Sequence, residues 1–275
     1  METELTRQEQ LDILFPNTVK QAKKQSKSGP YSNITPEINQ AFLSAKEHIK
    51  NNRINDAITT YDKALELAQG SALKSVQAAI HYEKGRAFDN SDKIREALTE
   101  YNEAAKLSED NNLKTQAHLH MARIYDDYIQ YEPALSNYHK AIAFSGEANN
   151  PEGQTVALKD LTGLFTQRFD IDNTKTFGDL TLDSIEECKS QKVKGRAYSE
   201  IGKDFEYVGE NKKALECYKN AVQTYEAGEE SAYQIAQNYL DASNLMKKLG
   251  NNAKAEKLLS KYYQYLEQAS QSLSY

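Results

Sequence analysis

Among its 275 residues the chain has only two cysteines, Cys188 and Cys217, and they form neither a CxxC pair nor a zinc-ligand spacing. A disulfide framework and a structural metal are therefore not expected, and both cysteines are read as reduced thiols. No stretch approaches the roughly eighteen apolar residues of a membrane span. The opening METELTRQEQ places acids where an export signal would carry a basic and then a greasy run. A cytoplasmic location is the default expectation. Basic charge is also short: the formal net charge is -6, which argues against general nucleic-acid affinity, because phosphate binding relies on a basic surface. The apolar share of 39% is low for a compact enzyme of this length, while the composition excludes wholesale disorder. A thin, elongated core follows.

Catalytic signatures are missing as well. There is no GxSxG, HExxH, Walker sequence or dinucleotide fingerprint, so neither an enzyme nor a cofactor is expected. His118 and His120 come nearest to a metal pair, but a spacing of two turns them away from each other on a helix. The tetrapeptide KGRA occurs twice, from Lys84 and from Lys194, with no third copy at a regular fraction of the distance. A phosphate loop would also need a strand before it and more glycine. The match is coincidental.

What is present is a different repeat. The segments DAITTYDKALELA from Asp56, EALTEYNEAAKLS from Glu96, PALSNYHKAIAFS from Pro133 and KALECYKNAVQTY from Lys213 each carry Ala, then Tyr four later, then Ala three after that. The triplets are Ala57/Tyr61/Ala64, Ala97/Tyr101/Ala104, Ala134/Tyr138/Ala141 and Ala214/Tyr218/Ala221, and the leading alanines lie 40, 37 and 80 apart. A degenerate unit is expected near Thr174 and a last one near Ala255. Spacing of four and three puts the triplet on one helical stripe. A partner helix stands upstream: twelve residues before each leading position lie Ala45, Gly85, Ala122, Thr162, Gly202 and Ser243, all small. Nine before lie His48, Phe88, Tyr125, Phe165, Phe205 and Met246, all bulky. Turn signals NNR, DNSD, VGEN and LGNN separate the helices, and Thr35-Pro36-Glu37 opens the first with a cap, a first-turn proline and an acid.

This pattern resembles the tetratricopeptide repeat, a helix-turn-helix unit that stacks into a superhelix. The resemblance covers roughly residues 37 to 270 and implies an all-α fold, a right-handed α-solenoid of about six units over 37–272, with residues 1–36 apart. The period near forty and the missing terminal proline, replaced by Gln69, Glu109, Gly146, Glu186 and Glu226, resemble the long units of kinesin light chains, Pins-type adaptors and Rap-type regulators. The fourth unit, with Thr174, Gly178 and Thr181 on its stripe, is the weak match, its glycine costing about 1 kcal/mol relative to alanine in a helix.

The resemblance further implies that first helices line a concave groove where a peptide or helix of a protein partner docks. Eleven residues before each leading position the first three units carry Lys46, Arg86 and Arg123, and fifteen before they carry Phe42, Tyr82 and Leu119. This basic line beside an apolar line is the candidate groove, since aromatic anchors next to guanidinium groups make binding hot spots. Its alternative is self-pairing, because Glu83 and Asp89 flank Arg86, and Asp126 and Asp127 follow Arg123. The leading expectation is a non-enzymatic adaptor or scaffold; a peptide-responsive regulator of the Rap kind and an export or assembly chaperone are the alternatives. Near the N-terminus Leu11, Ile13, Leu14 and Phe15 precede Lys20, Lys23, Lys24 and Lys27. That segment is read as a tail packing on the first unit, with membrane contact not expected. One packing test follows from the register: Gly202→Leu should force two helices apart and lower stability by about 1 to 3 kcal/mol, read as a lower melting temperature.

Overall fold

A computed structural model describes residues 35–69, 74–228 and 232–272. The N-terminal apolar and basic segment lies outside the described residues. Within them stand twelve helices and no strand. First and second helices alternate: α1 (Pro36–Lys50) with α2 (Ile54–Gln69), α3 (Lys74–Asp89) with α4 (Ile94–Leu107), and α5 (Asn111–Asp127) with α6 (Tyr131–Glu147). Then come α7 (Pro151–Gln167) with α8 (Ile171–Glu187), α9 (Gln191–Tyr207) with α10 (Asn211–Ala227), and α11 (Ala232–Lys248) with α12 (Asn252–Ser272). The chain forms two compact units, and the boundary after Gly153 falls in the first turn of α7. Within each unit a helix packs on its pair partner and on the next pair.

The helices begin and end where the sequence signals predict. Thr35 caps α1, its Oγ1 accepting from the Ile38 amide at 3.4 Å, with Pro36 in the first turn. All six turns inside the pairs share one device. Asn52, Asp92, Ile129, Phe169, Gly209 and Gly250, each five residues before the leading position, adopt positive φ between 56 and 81°. The next residue's amide then reaches back to the carbonyl of the bulky residue, as Arg53 does to His48 at 2.8 Å, Gln130 to Tyr125 at 2.7 Å and Glu210 to Phe205 at 2.8 Å. This is the capping bond that closes a helix on a left-handed residue. Gly209 and Gly250 adopt that conformation without strain, whereas Ile129 and Phe169 incur a steric penalty for it.

The stripes are buried as expected. Tyr61, Tyr101, Tyr138 and Tyr218 are all at most 1% exposed, and their flanking alanines are fully buried. Two of the rings, Tyr101 and Tyr218, lie directly over the glycine of their first helix. A Cβ on Gly85 would stand 2.9 Å from the Tyr101 ring, and one on Gly202 would stand 2.7 Å from Tyr218, which confirms that register. The last helix half-buries Leu258, Tyr262, Tyr265 and Leu266 and exposes Lys254, Lys257, Lys261 and Gln268.

The fourth pair is built differently. Gly178 stands where the tyrosine should be, and a Cβ there would meet the Phe205 ring at 2.9 Å. Phe205, from the following first helix, is fully buried and takes the space the tyrosine vacates. Around it hydroxyls replace methyls: Thr174, Thr181 and Ser184 are fully buried, with Ser184 Oγ donating to Thr155 at 2.8 Å and the Thr162 and Thr181 hydroxyls 3.4 Å apart. Gly178 therefore serves a close approach, a contribution that helix propensity alone misses. Gly163 in α7 is the contrast, since a Cβ there meets nothing within 4 Å. Both changes to alanine raise helix propensity, yet they should move the melting temperature in opposite directions. Gly163→Ala should stabilise by about 0.5 to 1 kcal/mol, and Gly178→Ala should destabilise by about 1 to 3 kcal/mol.

Candidate partner-binding surface

Neighbouring first helices touch directly, α3 on α5 in the first unit and α9 on α11 in the second. Side chains fourteen, eleven and fifteen residues before the leading positions therefore share a surface. In the first unit this surface holds a trough of about 690 Å³ between α1 and α3, with Ile38, Phe42, Leu43, Lys46, Val76 and Ile80 among its walls. Phe42 is half-buried, edge-on to Tyr61 at 6.0 Å, and the Lys46 ammonium sits 4.7 Å from its ring centre. Leu43 is 56% exposed beside them.

The basic line is partly neutralised. Glu83 holds two of its members, Lys46 at 3.0 Å across the repeat boundary and Arg86 at 3.0 Å on its own helix. The self-pairing expected for Arg86 is thus present, and it also draws Lys46 in. Arg86 keeps half of its side chain exposed and Arg123 is half-buried. Both cations act on His120. Burial first, and then the charges of Arg123 and Arg86, push the His120 imidazole down to about 4, so it is neutral at physiological pH. Its ring stacks on Tyr101 at 4.9 Å and meets Tyr82 at 5.7 Å.

The apolar line differs from the expectation. Phe42 faces the trough, but Tyr82 is 9% and Leu119 7% exposed, and Tyr82 packs on Tyr101 at 5.8 Å. Tyr82 therefore supports neighbours, contrary to its reading as a free anchor. The reason is the neighbouring helix: residues fifteen before the leading position point to the seam between adjacent first helices, which a single-helix pattern does not contain. The sequence reading takes Glu83 only as a neighbour of Arg86 and His120 only as one of two diverging histidines, and does not place either on the candidate surface. Both lie fourteen before the leading position, and that shared register was the available signal. His118 and His120 do diverge: His118 Nδ1 pairs with Asn137 Oδ1 at 2.8 Å, while His120 faces Asp89 at 3.7 Å. Among the described residues no group of His, Cys, Asp and Glu could hold a metal ion.

The equivalent surface of the second unit is acidic and tightly paired. Lys159, buried in the register of Phe42, pairs with Asp160 and Glu200, and Arg196 binds Glu200 at 2.7 Å. Beside them burial raises the Asp204 carboxyl to about 6, with Thr166 and Lys159 offsetting only part of the effect.

Helix pairs of this length, register and tyrosine-over-small packing define a tetratricopeptide-type α-solenoid repeat protein, and the chain has that fold. No family model matches it. A photosystem I assembly protein, Ycf3 of Prochlorococcus marinus, is 27% identical over 203 residues, covering 74% of this chain and 93% of that protein. Among solved structures, BtubC (BKLC) from P. vanneervenii superposes with a TM-score of 0.61 at 15% identity, over 86% of this chain and 93% of that one. The apo form of RapI does so with a TM-score of 0.59 at 12% identity, over 86% and 99%. Among the described residues no helix is long and apolar enough to cross a membrane.

Asp204 supplies a test of the second unit's electrostatics. Its folded-state pKa is raised, so its contribution to stability is present below about 4 and is lost as pH rises through about 6. Asp204→Asn should be more stable than the parent at pH 7, by about 2 to 3 kcal/mol on a two-unit shift. The gap should close by about pH 4, as read by urea unfolding across that range.

Proposed function

We propose that this chain is an assembly factor or adaptor that acts by binding, and that it holds an extended or helical segment of a protein partner against the first-helix face of its first unit. The segment would set an apolar side chain into the trough beside Phe42 and Leu43 and present a carboxylate to Lys46, Arg86 and Arg123. The observation that carries this reading is the open trough itself. An exposed leucine and a half-buried phenylalanine stand beside cations that share one internal carboxylate, Glu83. Lys46 and Arg86 keep 41% and 49% of their side chains exposed, so a partner carboxylate can pair with them while Glu83 stays in place. The assembly role is further supported by similarity to the photosystem I assembly protein over nearly all of that protein's length. The fold adds a general argument: stacked repeats present long surfaces suited to binding polypeptides.

The test is affinity capture with the full chain, quantified by mass spectrometry, comparing the parent with Leu43→Asp, Arg86→Ala and Lys261→Ala. Tyr82→Ala is unsuitable because it opens the core against Tyr101. The protein retained by the parent should fall about thirtyfold with Leu43→Asp and with Arg86→Ala, the scale of losing an anchor worth about 2 kcal/mol. Lys261→Ala, on the exposed face of α12, should leave it unchanged. A loss below about threefold in both trough variants, with helicity intact, would reject this surface as the docking site.

A further inference from the structure

The trough between α1 and α3 holds one residue that breaks the repeat. Fourteen residues before the leading position, the five later repeats carry Glu83, His120, Asp160, Glu200 and Asp241, all half-buried. Each of them faces a charged side chain on its own or a neighbouring helix. The first repeat alone has an apolar residue in that register, Leu43, and it is 56% exposed. A single exposed leucine is ordinary on a protein surface. This one opens onto a trough whose walls include Ile38, Phe42, Val76 and Ile80, so apolar surface is gathered there rather than scattered.

The position of the trough along the chain narrows what can fill it. In the first unit α3 packs on α2 and α5 on α4, whereas α1 has no helix before it among the described residues. Pro36 is itself part of the trough wall, so the chain that precedes Thr35 enters at its rim. Within that preceding stretch Leu11, Ile13, Leu14 and Phe15 are four apolar residues in five, and residues 1–15 carry four acids against one basic residue. Glu9 and Asp12 are the acids nearest the cluster. The trough offers the complement, apolar walls with the half-exposed cations Lys46 and Arg86 on one side. The 20 residues from Phe15 to Thr35 span up to about 70 Å, ample for a trough that starts beside Pro36.

From these complementary surfaces we infer that the trough between α1 and α3 is the seat of this chain's own Leu11–Phe15 segment, which sets apolar side chains against Phe42 and Leu43 and a carboxylate toward Lys46 and Arg86. Lys20, Lys23, Lys24 and Lys27, which follow the cluster, are repelled by Lys46 and unsuited to apolar walls, so the contact is confined to the cluster. Tethering presents the segment at an effective concentration on the order of millimolar, which a free ligand must overcome. A partner that takes the trough therefore displaces a resident segment of like chemistry, and one that offers only an apolar side chain is turned away. Docking of the segment stands without the partner reading above, whereas this gating of the partner rests on it.

The test uses the full chain with a nitroxide on Gln10→Cys, which takes the label selectively because Cys188 and Cys217 are buried. The Leu43 methyl resonances should be broadened by the nitroxide, and the double change Leu14→Asp with Phe15→Asp should restore them. A mixture of nitroxide-bearing chain with isotope-labelled chain lacking the nitroxide should show no broadening. A fluorescein-tagged peptide of residues 8–18 then serves as a ligand in trans. It should bind the Leu14→Asp/Phe15→Asp chain at least about tenfold more tightly than the parent, whose trough is already filled. Adding Leu43→Asp to that chain should abolish the binding with the melting temperature unchanged, since Leu43 is exposed. Sharp Leu43 methyls in the parent, or broadening that survives the double change, would overturn the docking. Broadening in the mixture would overturn it in favour of a second copy's segment. Equal peptide affinity for parent and double variant would show an empty trough, and affinity indifferent to Leu43→Asp would put the contact elsewhere; either sinks the inference. If Leu43 is broadened while Leu43→Asp and Arg86→Ala leave partner capture unchanged, the partner reading fails and the segment keeps its seat.

Discussion

The contact on which the architecture depends is a tyrosine ring laid over a residue too small to keep it away. Tyr101 over Gly85 and Tyr218 over Gly202 leave no room for a Cβ, so two helices approach until ring and backbone touch. Burying a whole tyrosine gives four of the six pairs a large apolar contribution from few residues, which suits a chain with a modest hydrophobic share. The phenol oxygen remains to be satisfied. Tyr101 donates to Asp89 at 3.3 Å and Tyr218 to Glu206 at 3.0 Å, both acids near the end of the partnering first helix. Burial and the adjacent carboxylate both push these phenols well above their ordinary range, so they stay protonated donors. Packing and hydrogen bonding thus set the same separation.

The fourth pair keeps the close approach but reverses its direction. The ring comes from Phe205 of the next repeat and the small residue, Gly178, sits on the second helix. The surrounding threonine and serine hydroxyls turn to backbone carbonyls and to one another, so polarity enters the core with its hydrogen bonds made. Helix propensity counts Gly178 only as a cost, whereas the close approach of the Phe205 ring is a contact that only a residue without Cβ permits.

Because the buried register is so constrained, the chain varies where the constraint relaxes. The first-helix faces of the two units carry opposite character in the same register: Phe42 beside Lys46 in one, Lys159 locked between Asp160 and Glu200 in the other. Leu43 is a sharper case, the one apolar residue in a register that otherwise holds acids and a histidine. Such departures stand out only because the repeat supplies its own comparison, four or five internal copies against which a residue is expected or unexpected. Repeat number and register are legible in this way from residue spacing alone, and so are the caps, the turns and the polar face of the closing helix. The candidate surface is legible in part. Offset places Phe42, Lys46, Arg86 and Arg123 on the first-helix face, but it does not reveal the burial of Tyr82 and Leu119.

The sequence by itself determined the helix-turn-helix unit, its period and its buried stripe, because these depend on spacing along one chain, and helical geometry converts spacing directly into a face. Only the tertiary structure decided which members of the exposed lines remain exposed. It brought Glu83 between Lys46 and Arg86, set His120 against Tyr101, filled the place opposite Gly178 with Phe205 and left Leu43 exposed on the trough wall. Each of these joins residues from different helices or depends on how neighbouring helices enclose a side chain. Periodicity orients a residue on its own helix, but its burial and its partners are set by the distance and rotation of the next helix, which the local pattern does not encode.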